Sequence, residues 1–209
     1  MKVLMINGSP HSKGCTYTAL MEIASVLEAE GIQWEIVDTG TAPIRDCVAC
    51  LGCRKNGGKC VFDDDIVNKV IEKAKEADGF IFGSPVYYAH PSGRILSLLD
   101  RVFYATFGAV FEHKPAAAVV SARRGGTTAS VDVLNKYFTI SQMPVVASVY
   151  WNMVHGLKPE DVRQDLEGLE TMRVIGRNMA WLLKCIEAGK ANGVDVPDTM
   201  HTQFTNFIR

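Results

Sequence analysis

The sequence predicts a single α/β domain built on a parallel sheet of five strands, with helices packed on both faces of the sheet. Its 209 residues, 47% apolar and 22% charged, are typical of a soluble globular protein with a sizeable core. Short apolar runs alternate along the chain with longer segments of helical spacing. This alternation implies right-handed crossovers and a doubly wound parallel sheet, and five strands fit the order 2-1-3-4-5.

The predicted strands are short apolar runs bounded by glycine, proline or polar residues. In chain order they are Val3–Ile6, Gln33–Asp38, Gly79–Gly83, Ala116–Ser121 and Pro144–Tyr150. In a doubly wound sheet, ligands bind outside the carboxyl ends of the strands. The loops that follow the strands are therefore where a site is expected.

The predicted helices fill the intervals between the strands. Thr16–Glu30 has one apolar face and ends before a glycine. The acidic run Asp63–Asp65 is expected to cap a helix that continues to Ala77, because carboxylates favour helix N-termini. The other predicted helices are Ser92–Phe103, Thr128–Phe138 and a long helix from Pro159 to about Ala188.

Residues 1–188 are predicted to form one domain, whose longest loop is the cysteine-rich segment 39–62, followed by a polar C-terminal tail over 189–209. The formal net charge is −1 and the chain has no run of Lys or Arg, so neither nucleic acid nor a membrane surface is an expected partner. The apolar start, Met1–Ile6, is too short for a signal peptide. We therefore expect a cytoplasmic protein.

The loop after the first strand has the composition of a phosphate-binding turn. It contains Gly, Ser and Pro and leads directly into a helix, whose N-terminal N–H groups and dipole attract anions. It is not a Walker A loop, because Lys13 precedes Gly14, and it lacks the Gly-x-Gly-x-x-Gly pattern of a dinucleotide site. The alternative is a plain strand-to-helix turn. The candidate cofactor-binding residues here are Ser9, Pro10, Ser12, Lys13, Gly14, Cys15 and Thr16.

Two further loops have the composition of a bed for a flat ring. The loop after the third strand offers two prolines, two tyrosines and backbone N–H groups that can tune a flavin. The loop after the fourth strand has adjacent glycines, which allow close approach of the backbone, and arginines that can compensate negative charge. The alternatives are a half-buried proline-rich turn and a solvated charged turn. The candidate residues are Pro85, Val86, Tyr87, Tyr88, Ser121, Arg123, Gly125 and Gly126.

Together, Asn7–Pro10 and Gly83–Tyr87 resemble the two signature loops of the NAD(P)H-dependent FMN reductase family of flavodoxin-like proteins, over about residues 1–155. The resemblance implies FMN, with Ser9 and Thr16 at the positions that hold its phosphate and Pro85–Tyr87 along its isoalloxazine ring. It also implies NAD(P)H as the electron donor and at least a homodimer, or a homotetramer. Cys15 departs from the family, which commonly has Asn there, and a thiol is a weaker hydrogen-bond partner.

Four cysteines lie close together in the loop after the second strand: Cys47, Cys50, Cys53 and Cys60. Thiolates at such spacing are typical of a cubane 4Fe–4S cluster, whereas zinc more usually takes two separated Cys-x-x-Cys pairs. The motif resembles that of the iron–sulfur flavoproteins, a branch of the same superfamily. The alternative is that these cysteines are packing residues or redox-active thiols.

Three functions follow from these features. The first is an FMN-dependent oxidoreductase that passes electrons from NAD(P)H to a small-molecule or protein acceptor, such as a quinone, a free flavin or an iron–sulfur centre. The second is an iron–sulfur flavoprotein carrier that receives electrons from ferredoxin, and the third is a thiol or zinc redox switch. We expect no catalytic side chain, because the flavin itself performs hydride chemistry.

Overall fold

The computed structural model describes residues 1–199, 203 and 205. Its strands are β1 (Lys2–Asn7), β2 (Gln33–Asp38), β3 (Gly79–Tyr87), β4 (His90–Pro91), β5 (Ala116–Ala122) and β6 (Met153–His155). Its helices are α1 (Cys15–Ala29), α2 (Val67–Lys75), α3 (Gly93–Thr106), α4 (Thr127–Ile140), α5 (Pro159–Val162) and α6 (Leu166–Ala191), with a 3₁₀ turn at Gly52–Lys55.

The sheet has the order β2-β1-β3-β5-β6, and every neighbouring pair in this order is parallel. The two-residue strand β4 folds back antiparallel onto the end of β3 and lies off this path. Counted over the parallel strands alone, the order is 2-1-3-4-5. The predicted fold class is therefore confirmed.

Side chains of β1 alternate between the two faces of the sheet, and each face has its own core. Val3 and Met5 lie in one core with apolar residues of α1 and α6, whereas Leu4 and Ile6 lie in the other with residues of α2, α3 and α4. This period of two is the expected behaviour of a strand covered on both sides. Helices on both faces, as predicted, fix β1 at the centre of the molecule.

The fifth parallel strand is not where the sequence predicts it. Within the predicted segment Pro144–Tyr150, Val145 makes a single bridge to Ala116, and the strand that pairs with β5 is β6. Burial explains the difference, because Met153 and Val154 are buried whereas Val145 and Val149 are exposed. The prediction followed the longer apolar run and so displaced this strand.

Two predicted helix boundaries also differ. The long helix predicted from Pro159 is divided, because α5 ends at Val162 and Asp165 starts α6 by accepting a hydrogen bond from Gly168 N at 3.0 Å. The acidic run before α2 contributes through Asp65, which accepts from Val67 N at 3.1 Å. At the C-terminal end, α6 reaches Ala191, inside the predicted tail, and residues 200–202, 204 and 206–209 of that tail lie outside the described residues.

Among the helices of the described residues, none is long and apolar enough to cross a membrane.

Candidate functional site

A cleft of about 670 Å³ opens at the carboxyl ends of β1, β3 and β5. The three loops predicted from the sequence all contribute to it, together with a fourth segment that follows β6. Its lining residues are Ser9, Pro10, His11, Ser12, Lys13, Gly14, Cys15, Thr16, Pro85, Val86, Tyr87, Ser121, Ala122, Arg123, Gly156, Leu157, Lys158 and Pro159. The volume lies within the range of small-molecule and cofactor sites.

The loop between β1 and α1 holds its shape through backbone contacts. Gly8 N donates to Gly83 O at 2.8 Å, and a Cβ on Gly8 would lie only 2.7 Å from the same oxygen. Only glycine allows the first loop to approach the end of β3 this closely. The loop is therefore fixed to the end of β3 by its backbone.

The N-terminus of α1 faces the cleft with open N–H groups. Its N-cap residue, Gly14, has no side chain to cap the helix. The N–H groups of Ser12, Lys13 and Thr16 have no backbone acceptor among the described residues. Unsatisfied donors at the positive end of a helix dipole form an anion site.

The hydroxyl groups of this region are partly engaged with one another. Thr16 Oγ1 and Ser121 Oγ are 2.8 Å apart, and both residues are buried. Ser9 Oγ accepts from His11 N at 3.1 Å, whereas Ser12 is exposed. The structure thus brings the predicted Ser9, Ser12, Thr16 and Ser121 together, with Ser12 the most accessible of the four.

The charges that line the cleft are positive. Lys13, Arg123 and Lys158 line it, and no Asp or Glu occurs among its described lining residues. A concave site lined by one sign of charge concentrates ligands of the other sign. The electrostatics therefore favour an anionic ligand.

Cys15 lines the same cleft, but its side chain points to the protein backbone. Its Sγ lies 3.6 Å from Gly156 O, at donor distance for a thiol. Burial raises the pKa of this thiol above its usual value. At neutral pH, Cys15 thus remains a neutral thiol whose Sγ is directed at Gly156 O.

Of the residues predicted in the loop after β3, Pro85, Val86 and Tyr87 line the cleft, and Tyr88 does not. Tyr88 is 99% exposed and, with Ala89, forms the turn between β3 and β4, where both residues have positive φ (49° and 64°). Positive φ at both central positions is typical of a tight hairpin turn. Tyr88 therefore shapes the loop rather than the cleft.

The glycine pair after β5 has a similar supporting position. Gly125 and Gly126 lie outside the lining, and Gly126 is the N-cap of α4 with φ of 93°. A Cβ on Gly126 would lie 2.4 Å from Ala89 Cα. Gly126 thus lets α4 begin directly against the β3–β4 turn. This contact supports the part of the cleft that is formed by the end of β3.

A second, smaller cavity of about 20 Å³ lies under the cysteine-rich loop, and all four predicted metal-binding residues, Cys47, Cys50, Cys53 and Cys60, line it. These cysteines are free thiols. The cavity has room for about one water, and among the described residues no three metal-ligating side chains are close enough to hold one metal ion. The chemistry of the donor set, four thiols around one cavity, suits a metal cluster.

Arg101 of α3 lies beneath this loop and is only 2% exposed. Its guanidinium forms a buried ion pair with Asp65 and donates to Cys60 Sγ from Nη2 at 3.3 Å and Nε at 3.4 Å. Burial acts to lower the pKa of Arg101, but the hydrogen bonds that it donates to Cys60 and Asp65 outweigh burial and hold the pKa above its usual value. Sequence reasoning missed Arg101. Its helical spacing from Leu98 and Ala105 places it on the buried face of α3, which was the available signal.

His90, His155 and Trp151 lie near the carboxyl end of the sheet but outside the cleft. His90 Nδ1 is 2.6 Å from Pro91 O, and His155 N donates to Asp165 Oδ2 at 2.6 Å. Trp151 is half-exposed and packs edge-on against Tyr150, at 4.7 Å between ring centroids. None of these residues lines the cleft. Gly156–Pro159, in contrast, was not among the predicted ligand residues, and it lines the cleft because β6 ends at His155.

Comparison with known proteins agrees with this geometry. The model of the NADPH-dependent FMN reductase family matches residues 1–158. An iron-sulfur flavoprotein of Methanocaldococcus jannaschii is 34% identical over 194 residues, which cover 90% of this chain and 100% of that protein.

Solved structures share the fold at low sequence identity. An NAD(P)H:quinone oxidoreductase from Methanothermobacter marburgensis superposes with a TM-score of 0.64 at 19% identity, covering 86% of this chain and 96% of that one. An archaeal flavodoxin superposes with a TM-score of 0.59 at 14% identity, covering 88% of this chain and 99% of that one. At these identities the likeness establishes the flavodoxin-like fold alone.

Proposed function

The chain belongs to the NADPH-dependent FMN reductase family, and on that premise we propose that it is an FMN-dependent oxidoreductase that takes electrons from NAD(P)H. Its acceptor is a quinone, a free flavin or an iron–sulfur centre. The observation that carries the proposal is the cleft in which open N–H groups of α1, three cations and the end of β3 converge. This arrangement fits a phosphate and a flat ring in one site.

In this proposal, the N–H groups of Ser12, Lys13 and Thr16 hold the FMN phosphate, and Lys13 and Lys158 balance its charge. Pro85–Tyr87 lies along the ring system, and Arg123 stabilises the negative charge that the ring gains on reduction. FMN, when bound, supplies hydride acceptance and release of single electrons. The side chains of the protein bind and orient it.

We also propose a 4Fe–4S cluster held by Cys47, Cys50, Cys53 and Cys60. Four free thiols around one cavity support it, as does their spacing. The Methanocaldococcus relative, whose whole length this chain matches, is itself named an iron-sulfur flavoprotein. The cysteine-rich loop favours the second candidate function, an iron–sulfur flavoprotein carrier that receives electrons from ferredoxin. A thiol or zinc redox switch has less support, because it leaves the cleft without a function.

The proposal includes a homodimer or homotetramer, since the aromatic pair Tyr150 and Trp151 is exposed close to β6, at the edge of the sheet. It also includes a cytoplasmic location, because six free cysteines suit a reducing compartment. Size-exclusion chromatography with light scattering tests the first of these statements. A monomer would contradict it.

Anaerobic purification followed by absorption spectroscopy and iron and sulfide assays tests both cofactors. We expect bound flavin, about four irons per chain, and rapid bleaching of the flavin by NADPH or NADH. Bleaching by reduced ferredoxin but by neither nicotinamide would select the carrier function. Failure to bind FMN even after incubation would reject the central proposal.

A comparison of FMN with riboflavin measures the contribution of the phosphate to binding. Riboflavin lacks the phosphate, so FMN is expected to bind at least tens of times more tightly in a fluorescence titration. Lys158→Gln should reduce the difference in affinity between FMN and riboflavin, because it removes one of the cations that line the cleft. Lys184→Gln is the matched control, since Lys184 pairs with Glu30 on the surface at 2.6 Å. Equal affinity for both flavins in the unmodified protein would refute the phosphate site.

A further inference from the structure

We propose that Arg101 is a positioning residue that raises the reduction potential of the proposed cluster through its contact with Cys60. Asp65, which forms an ion pair with Arg101, lowers the same potential. This inference rests on the proposed second cofactor. Arg101 lies beneath the cysteine-rich loop, away from the residues that line the flavin cleft, and it is the cation that contacts a cluster cysteine from the protein interior.

The guanidinium is held in one orientation. Nε and Nη2 donate to Cys60 Sγ, Nη1 donates to Arg45 O at 3.2 Å and to Asp65, and Nη2 also donates to Phe62 O at 3.0 Å. Arginine has five N–H donors, and these contacts use all of them. Two of the five are directed at sulfur, so the side chain presents a fixed pair of donors to the last cysteine of the loop.

Hydrogen bonds to ligand sulfur and nearby charge are among the factors that set the potential of an iron–sulfur cluster. Reduction adds one negative charge to the cluster. A buried cation that donates to a ligand sulfur stabilises the reduced state more than the oxidised state, and its effect is strong because water is excluded. Arg101 therefore raises the potential, and the carboxylate of Asp65 lowers it.

Because Arg101 and Asp65 shift the cluster potential in opposite directions, tuning of the potential can be distinguished from a purely structural role. Loss of either partner of a buried ion pair destabilises a protein, so a structural role alone moves Arg101→Gln and Asp65→Asn in the same direction. An electrostatic role moves the potential of the two variants in opposite directions. The double variant, which removes both charges, should return towards the unmodified potential.

A matched control is present in the same loop. Arg54 follows Cys53 in the 3₁₀ turn, and its guanidinium lies over the Phe107 ring, 5.6 Å from the ring centroid. Among the described contacts it makes none with a cysteine sulfur. Arg54→Gln thus removes one positive charge from the loop surface without removing a donor to sulfur.

The experiment is a potentiometric titration of iron-loaded protein, followed by electron paramagnetic resonance of the reduced cluster. We expect a more negative cluster potential in Arg101→Gln, a more positive one in Asp65→Asn, and no shift in Arg54→Gln. Arg101→Lys, which keeps the charge and loses the forked donors, should lie between Arg101→Gln and the unmodified protein. The potential of bound FMN serves as the internal reference.

Each result decides between the two proposals. If the unmodified protein binds no iron, the second cofactor is rejected and the role of Arg101 with it. If all variants load iron and keep the unmodified potential, or if Arg101→Gln and Asp65→Asn shift the same way, the role of Arg101 is overturned while the cluster stands. If Arg101→Gln does not fold, the opposite signs expected for Asp65→Asn and Arg101→Lys decide the question.

Discussion

The two loops that follow β1 and β2 differ in length and in how closely they are bonded to the sheet. The loop after β1 is short, is bonded to the end of β3 through Gly8, and exposes N–H groups that need an anion. The cysteine-rich loop is long and irregular, and its four thiols surround a cavity with room for about one water. The first loop is fixed to the sheet by backbone contacts, whereas the second is joined to α3 through the side chains of Arg94 and Arg101.

The largest expected effect comes from removing one cluster ligand. Cys50 is exposed, so Cys50→Ser should abolish iron binding without disturbing the core, and FMN should remain bound at one per chain. Iron assay and flavin absorbance measure the two contents. Cys185→Ser, at another exposed free cysteine, should keep both cofactors. Loss of FMN along with iron in Cys50→Ser would show that the two loops depend on each other.

The second effect concerns Gly14, the N-cap of α1. Its φ of −82° suits any residue, and a Cβ there would meet His11 Cβ at 3.1 Å, so a small adjustment admits a side chain. Asp at this position would cap the helix and repel phosphate. We expect Gly14→Asp to weaken FMN binding on the order of 100-fold. The same substitution should stabilise the apoprotein by about 0.3 kcal/mol, because it adds a helix cap.

Fluorescence titration and thermal unfolding of the apoprotein measure these opposite changes. Gly14→Ser adds a cap without charge and should weaken FMN binding much less than Gly14→Asp. If Gly14→Asp left the affinity for FMN unchanged, the N-terminus of α1 would not be the phosphate site.

Local chemistry explains why the loop after β1 and the order of the sheet were predictable. Alternating apolar runs report strands directly, and a glycine-rich turn that leads into a helix reports an anion site without knowledge of any distant residue. The fifth strand was misplaced because Val145 and Val146 resemble a strand. Burial of Met153 and Val154, in contrast, depends on pairing with β5 and on packing into the separate cores on the two faces of the sheet. Such packing is tertiary information.

Arg101 shows the same limit at the cysteine-rich loop. Its partners Cys60 and Asp65 lie 41 and 36 residues away along the chain. The helical pattern of α3 indicates that Arg101 is buried, but a pattern within one helix cannot name what lies opposite it. The four cysteines themselves were predictable as a set because their spacing is local.

The third effect contrasts a thiol from each loop. The pKa of Cys15 is raised by burial, so its thiolate fraction is reduced near neutral pH and its alkylation should accelerate only at more alkaline pH. In iron-free protein at pH 8, we expect iodoacetamide to label Cys15 on the order of ten times more slowly than exposed Cys50. Peptide mass spectrometry over a pH series follows both sites. FMN should protect Cys15 further and leave Cys50 unaffected, and equal rates in the apoprotein would contradict the difference in environment.

The smallest effect concerns how the cysteine-rich loop is held at its beginning. Arg94 of α3 donates to Ala42 O at 2.6 Å and to Thr41 O at 3.1 Å, which joins the first residues of the loop to the body of the domain. Arg94→Gln should lower the free energy of unfolding by about 1 kcal/mol and increase amide exchange near residues 40–46, with FMN affinity unchanged.

Arg163→Gln is the matched control, because Arg163 only approaches Glu160 at 3.8 Å on the surface and should contribute less than about 0.5 kcal/mol. Hydrogen exchange with mass spectrometry distinguishes the loop from the rest of the chain. If Arg94→Gln raised exchange throughout the domain, the start of the loop would be part of the core. If exchange rises only there, the cysteine-rich loop opens independently of the sheet.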